Sequence, residues 1–156
     1  MGFFDRFKSK PAATTVSSAD SVARIMVVLE CDGDQVLFIL LADDGTINRM
    51  GTGTEDNREQ GLFIGVIDTA AFVTVRSVCS PVLDDWIGGY GDPDAAGKPC
   101  KLLVGFQTSA GAELLSQWEY GTESKGPPAE VIAVVKQAVQ ATEDWYAEQK
   151  ALSADG

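Results

Sequence analysis

Five pairs of closely spaced carboxylates punctuate this chain: Asp32/Asp34, Asp43/Asp44, Glu55/Asp56, Asp84/Asp85 and Asp92/Asp94. Two acids held in different environments can divide the roles of general acid and general base, because burial and neighbouring charge separate their pKa values. Closely spaced acids also ligate calcium. The twelve residues from Asp92 fail that pattern, with Ala96 at the fifth position and Leu103 where the bidentate glutamate belongs. Most of the pairs lie in turn signals, where aspartate serves the local backbone. Turn formation and solvation are their expected use. A carboxylate-dependent hydrolase built on Glu55/Asp56 or Asp84/Asp85 is the alternative.

The stretch GTGTEDN, Gly51 to Asn57, poses a second question, because YGTESKG at Tyr120 to Gly126 repeats its Gly-Thr-Glu. A P-loop needs Gly, four residues, then Gly-Lys-Ser/Thr. Here Glu55 and Asp56 follow instead, and they repel phosphate. A three-residue match is expected by chance in a chain of this length, so the echo alone does not establish an internal repeat. Glycine leaves a strand easily, and glutamate near a helix start favours the dipole. Two ordinary strand exits account for both copies.

Nucleophilic and metal chemistry find little support. The chain has no histidine, which excludes Ser-His and Cys-His nucleophile activation and His-ligated metals. Its three cysteines, Cys31, Cys79 and Cys100, show no disulfide-framework or zinc spacing. Cys31 and Cys79 read as small core residues, while Cys100 stands near Lys98 and Lys101, which would lower a thiol pKa. No catalytic residue, cofactor or metal site is assigned.

Charge and the N-terminal segment carry the remaining signals. The 156 residues have a net charge of −11, and the first ten carry +2, so the rest carries −13. Such a body repels nucleic acid and suits a basic protein partner. MGFFDRFK gathers Phe3, Phe4 and Phe7 beside basic residues, as in short helices that dock weakly on a membrane or on a partner. Arg6 breaks the N-myristoylation pattern. No secretory signal or membrane-spanning run is read, and free cysteines point to a reducing compartment, so the expected location is cytoplasmic. The opening MGFFDRF resembles the starts of many small bacterial cytosolic proteins, a resemblance that implies no activity.

These residues need a scaffold. Residues 1–21 read as a flexible segment with a short amphipathic helix and a linker, 22–150 as one domain, and 151–156 as a frayed tail. Ala23, Ile25, Val27, Leu29 and Cys31 alternate as one face of a strand. The turn DGD then leads into QVLFILLA, apolar on both faces and expected to be a strand covered on each side or nearly so. INRM and GLFIGVID supply short strands. Asp68 is a good N-cap for a helix through Phe72 and Val75. Ser80 and Pro81 start another helix, which Gly88 and Gly89 end. After a surface loop, CKLLVGFQT and ELLSQWEY form a second hairpin. Leu102, Val104 and Phe106 share a face on one strand, with Leu114, Trp118 and Tyr120 on its partner. A helix from about Ala129 to Lys150 carries Val131, Val134, Val135, Ala138 and Val139 as one stripe.

The expected fold is therefore α+β: an antiparallel sheet of two hairpins plus one or two short strands, packed on one face by a long C-terminal helix and two short helices. The leading functional expectation is a non-catalytic interaction module, inhibitor-like or immunity-like, that binds a basic partner. Its expected contacts are Phe3, Phe4, Phe7, Glu55, Asp56, Asp84 and Asp85. Besides the hydrolase, a small-molecule binder that uses Trp86, Trp118, Tyr120, Trp145 and Tyr146 is the remaining alternative.

Overall fold

In the computed structural model, residues 19–53 and 61–155 are described. The expectations placed on Phe3, Phe4, Phe7, Glu55 and Asp56 lie outside these residues. After a short 3-10 turn at Ala19–Ser21 the order is β1 (Val22–Cys31), β2 (Asp34–Ala42), β3 (Thr46–Gly51), β4 (Phe63–Val66), α1 (Thr69–Arg76), α2 (Ser80–Asp85), β5 (Gly88–Gly91), β6 (Pro99–Thr108), β7 (Glu113–Gly121) and α3 (Ala129–Asp155). The strands form one seven-stranded sheet in the order β4-β3-β2-β1-β6-β7-β5. Neighbours are antiparallel except β5 and β7, which run parallel.

Local chemistry explains the turns. Asp32 and Gly33, with φ of 53° and 86°, link β1 to β2 as a two-residue loop. Positive φ at both central residues is the turn whose twist matches a hairpin. On β2, Leu29 pairs with Leu37 and Glu30 with Gln35, so Val36 is an inserted bulge residue. Val36 and Leu37 are both buried. Gly51 ends β3 at φ 80°, where any Cβ would run into the carbonyl of Val36. Asp68 caps α1 as expected, accepting the N–H of Ala70 at 2.8 Å. Ser80 is the first residue of α2 rather than its cap; Cys79 precedes it and makes no side-chain cap bond.

The core lies on one side of the sheet. Ile25, Val27, Leu37, Ile39, Leu41, Ile47, Leu102, Val104 and Phe106 meet Phe72 and Val75 of α1, Val82 and Leu83 of α2, and Val131, Val134 and Ala138 of α3. Each buried aliphatic side chain contributes about 1.5–3 kcal/mol relative to exposure. No helix among the described residues is long and apolar enough to cross a membrane.

The α+β expectation stands in outline, with two corrections. The sheet has seven strands and includes a parallel pair. The extra strand is β5, formed by Gly88–Gly91 where the sequence reading ends a helix and opens a loop. In addition, α3 runs beyond Lys150 to Asp155.

Candidate interaction surface

Strand alternation sends one set of side chains to the helices and the other to the opposite face. On that opposite face, Met50 pairs with Phe38, Phe38 with Val28, and Val28 with Leu103, giving an apolar row across four strands. The next row runs from Ile64 through Asn48, Leu40, Met26 and Gly105 to Leu115. Apart from exposed Ile64 and buried Gly105, the residues of both rows are half-buried. Between Met26, Leu40 and Leu115, above Gly105, lies a hollow of about 300 Å³. At the sheet edge Leu62, Ile64 and Val66 are 52%, 69% and 73% exposed, so the apolar band continues into solvent. Thus β2 is apolar on both faces, and the described helices cover one of them, leaving Phe38 and Leu40 half-buried on the other.

Polar rows frame the band. Gln35, Glu30, Lys101 and Glu119 pair across one end, and Arg24, Gln107 and Glu113 across the other. Beyond them stand the turn acids. Asp32, Asp43 and Asp44 are exposed. The N–H of Thr46, donating to Asp44 Oδ1 at 2.9 Å, holds the Asp44 carboxyl below its ordinary value. Asp92 accepts the N–H of Asp94 at 2.8 Å in the same style of turn. Asp84 and Asp85 are exposed on α2, among the helices. Among the described residues, no group of three or more Cys, Asp or Glu side chains is placed to hold a metal ion.

The aromatic residues divide into two clusters rather than one. At the β5 edge, Tyr90 stacks on Trp118 at 4.3 Å, and Trp86 meets both rings at 5.8 and 5.5 Å. Their polar atoms are used: Trp118 Nε1 donates to Ser116 Oγ at 2.8 Å and the Tyr90 hydroxyl to the Ile87 carbonyl at 3.2 Å. A pocket of about 300 Å³ opens beside them, lined also by Pro93, Lys125 and Pro128. At the opposite edge, Trp145 Nε1 donates to the Val66 carbonyl at 3.1 Å, and Tyr146 meets Phe63 edge-on at 5.8 Å. The sequence reading missed Tyr90, whose place depends on the unforeseen strand.

It also missed Arg49, which is fully buried on β3. Its Nε donates to the Gly51 carbonyl at 3.1 Å, Nη1 to Thr142 Oγ1 at 2.8 Å, and Nη2 pairs with Glu143 at 3.2 Å. The guanidinium lies 4.4 Å over the Tyr146 ring, whose hydroxyl accepts the Gly51 N–H at 2.9 Å. Burial lowers the Arg49 pKa and Glu143 opposes that shift, so the group stays charged. Apart from the bond to Gly51 within β3, these contacts join β3 to α3, so this residue anchors the helix.

The cysteines hold a further surprise. Cys31 and Cys100 are register partners on β1 and β6, with Sγ atoms 3.4 Å apart. Cys79 is buried in the main core, and burial pushes its thiol up to about 12.

Compared with family models, with curated proteins and with solved structures, the chain finds no match.

Proposed function

We propose that this protein is a non-catalytic interaction module, of the inhibitor or immunity type, whose working surface is the open face of the sheet. One observation carries the reading: an apolar band crosses a face on which no helix of the described residues packs, in a chain of net charge −11. Seven strands at about 4.8 Å spacing make a face roughly 29 Å wide, which offers an area on the order of 800 Å², one side of a standard interface. The partner is a protein surface with an apolar centre and lysine or arginine at its margin. Those cations face the turn acids Asp32, Asp43 and Asp44. A second copy of the chain suits the face less well, because two such bodies repel each other.

This reading is favoured over the hydrolase. Asp84 and Asp85 stand in solvent, and Asp44 is held ionised, the opposite of a general acid. It is favoured over a small-molecule binder because the expected pocket residues separate into two clusters at opposite edges.

The test is affinity capture from the native host with the full chain, with Leu40→Lys, and with residues 1–21 deleted. Capture of one basic protein is expected, its association slowing as salt rises and its binding lost with Leu40→Lys while far-UV circular dichroism is unchanged. Capture indifferent to Leu40→Lys or to salt sinks the reading. So does sedimentation of the free protein as a dimer that Leu40→Lys dissociates.

A further inference from the structure

The rim of the sheet at β5 has features that the open face does not need. Asp92 donates its N–H to the Glu119 carbonyl of β7 at 2.9 Å. Backbone groups alternate along a strand, so Tyr90 also points to β7 while Gly89 and Gly91 point outward. Both glycines are exposed, and no strand lies beyond them among the described residues. Neither has a side chain to shield its N–H and C=O. Natural sheets blunt such edges with lysine, proline or a bulge, since a bare edge templates another strand. This edge carries none of these within Gly88–Gly91.

Two hollows flank the same strand. A cavity of about 860 Å³ is lined on the open face by Gly91, Leu115, Gln117 and Glu119 and reaches Cys100 and Tyr120. On the helical face lies the pocket of Trp86, Tyr90 and Trp118. Asp92 and Glu119 border both hollows. A strand laid along β5 would send alternate side chains into the two hollows. Carboxylates edge both hollows; one is roomy, and the other is walled by aromatic rings as well.

We propose that the outer edge of β5 is a peptide-binding site that accepts an extended segment of another protein as an eighth strand, its basic side chains alternating with apolar ones. The outward N–H and C=O groups of Gly89 and Gly91 supply the ladder, which gives affinity without reading sequence. Lysine or arginine on one side of the segment reaches Glu119 through charge-assisted hydrogen bonds. Valine or phenylalanine on the other side lies against Trp86 and Tyr90. This site differs from the open-face reading in that its ladder runs along the rim, and of the two apolar rows only Leu115 reaches it.

The experiment is fluorescence anisotropy of a fluorescein-labelled hexapeptide, Lys-Phe-Arg-Val-Lys-Phe, titrated with the full chain. Saturable binding is expected. Gly91→Pro removes one outward N–H at a position where an added Cβ meets no atom within 4 Å. It should weaken binding about tenfold, as should Glu119→Lys. Leu40→Lys should leave binding unchanged, so failure here and failure of the open face are told apart. The same peptide with alternate backbone nitrogens methylated should not bind. That arm uses the unmodified protein, so the test holds even where Gly91→Pro fails to fold. Absence of saturable binding overturns the proposal, as does equal binding by the methylated peptide or by the block isomer Lys-Arg-Lys-Phe-Val-Phe. A free-protein dimer lost in Gly91→Pro would give the edge to a second copy of this chain, and would overturn it too.

Discussion

At the residue scale, Arg49 shows how one cation can decide the placement of a whole helix. It is fully buried, and its fork is divided among the Gly51 carbonyl, Thr142 and Glu143, with the Tyr146 ring beneath. Breaking a buried pair by deleting one partner costs about 3–5 kcal/mol, because the groups left behind stay desolvated. Glu143 is 47% exposed, so water recovers part of that loss. Arg49→Ala should therefore destabilise the fold by about 3 kcal/mol in urea unfolding. Arg49→Lys keeps the charge but loses the planar fork, and should cost about 1–2 kcal/mol. An alanine variant within about 0.5 kcal/mol of the parent would mean that the cluster is not an anchor. Nothing in the sequence marks Arg49 out. It sits in a short strand beside Asn48 and Met50, and its burial follows from α3 arriving more than ninety residues later.

At the element scale, legibility tracks periodicity. β1, β6 and β7 alternate strictly enough to be read as strands, and Asp68 with its helical spacing gives α1. α3 announces itself through its valine stripe. β5 carries no pattern, since three of its four residues are glycine and its strand character comes from the ladder to β7. Register is equally silent. Cys31 and Cys100 lie 69 residues apart and become neighbours only once β1 pairs with β6. Their sulfur atoms are in contact, so a mild thiol oxidant should join them. With oxidised glutathione, the two thiols give up two protons and two electrons, forming one disulfide and two molecules of reduced glutathione. Denatured after such treatment, the protein should show one thiol to Ellman's reagent in place of three, while Cys100→Ser oxidised in the same way should keep both of its thiols. Three thiols remaining after oxidation would break this expectation.

At the scale of the whole molecule, the sheet is two-sided in chemistry but one-sided in packing, and that contrast was half visible in the sequence. QVLFILLA is apolar at every position from Val36 to Ala42, but only the topology says that α1, α2 and α3 settle on one face. Global stability should also carry a pH signature. Burial pushes Tyr120 up to about 12 from 10.0, with Cys100 and Cys31 adding to the shift, and raises Tyr90 in the same direction. Burial also takes Cys79 from 9.0 to about 12. Above the ordinary values, the unfolded chain releases these protons while the folded one keeps them, so the unfolded state binds fewer protons and stability falls with rising pH. The contribution is fully present below about pH 9 and drains away toward pH 12. Denaturant midpoints should drop between about pH 9 and about pH 12, and less steeply in Tyr120→Phe. A midpoint independent of pH across that range would show that these groups are open to water. The anchoring of α3 on β3 has a consequence for biosynthesis. A ribosome delivers all seven described strands before α3, so the part of the sheet not covered by α1 and α2 waits with its greasy side bare until Glu143 and Tyr146 emerge. Such late, long-range closure slows folding and leaves the half-made chain dependent on whatever shields it in the meantime.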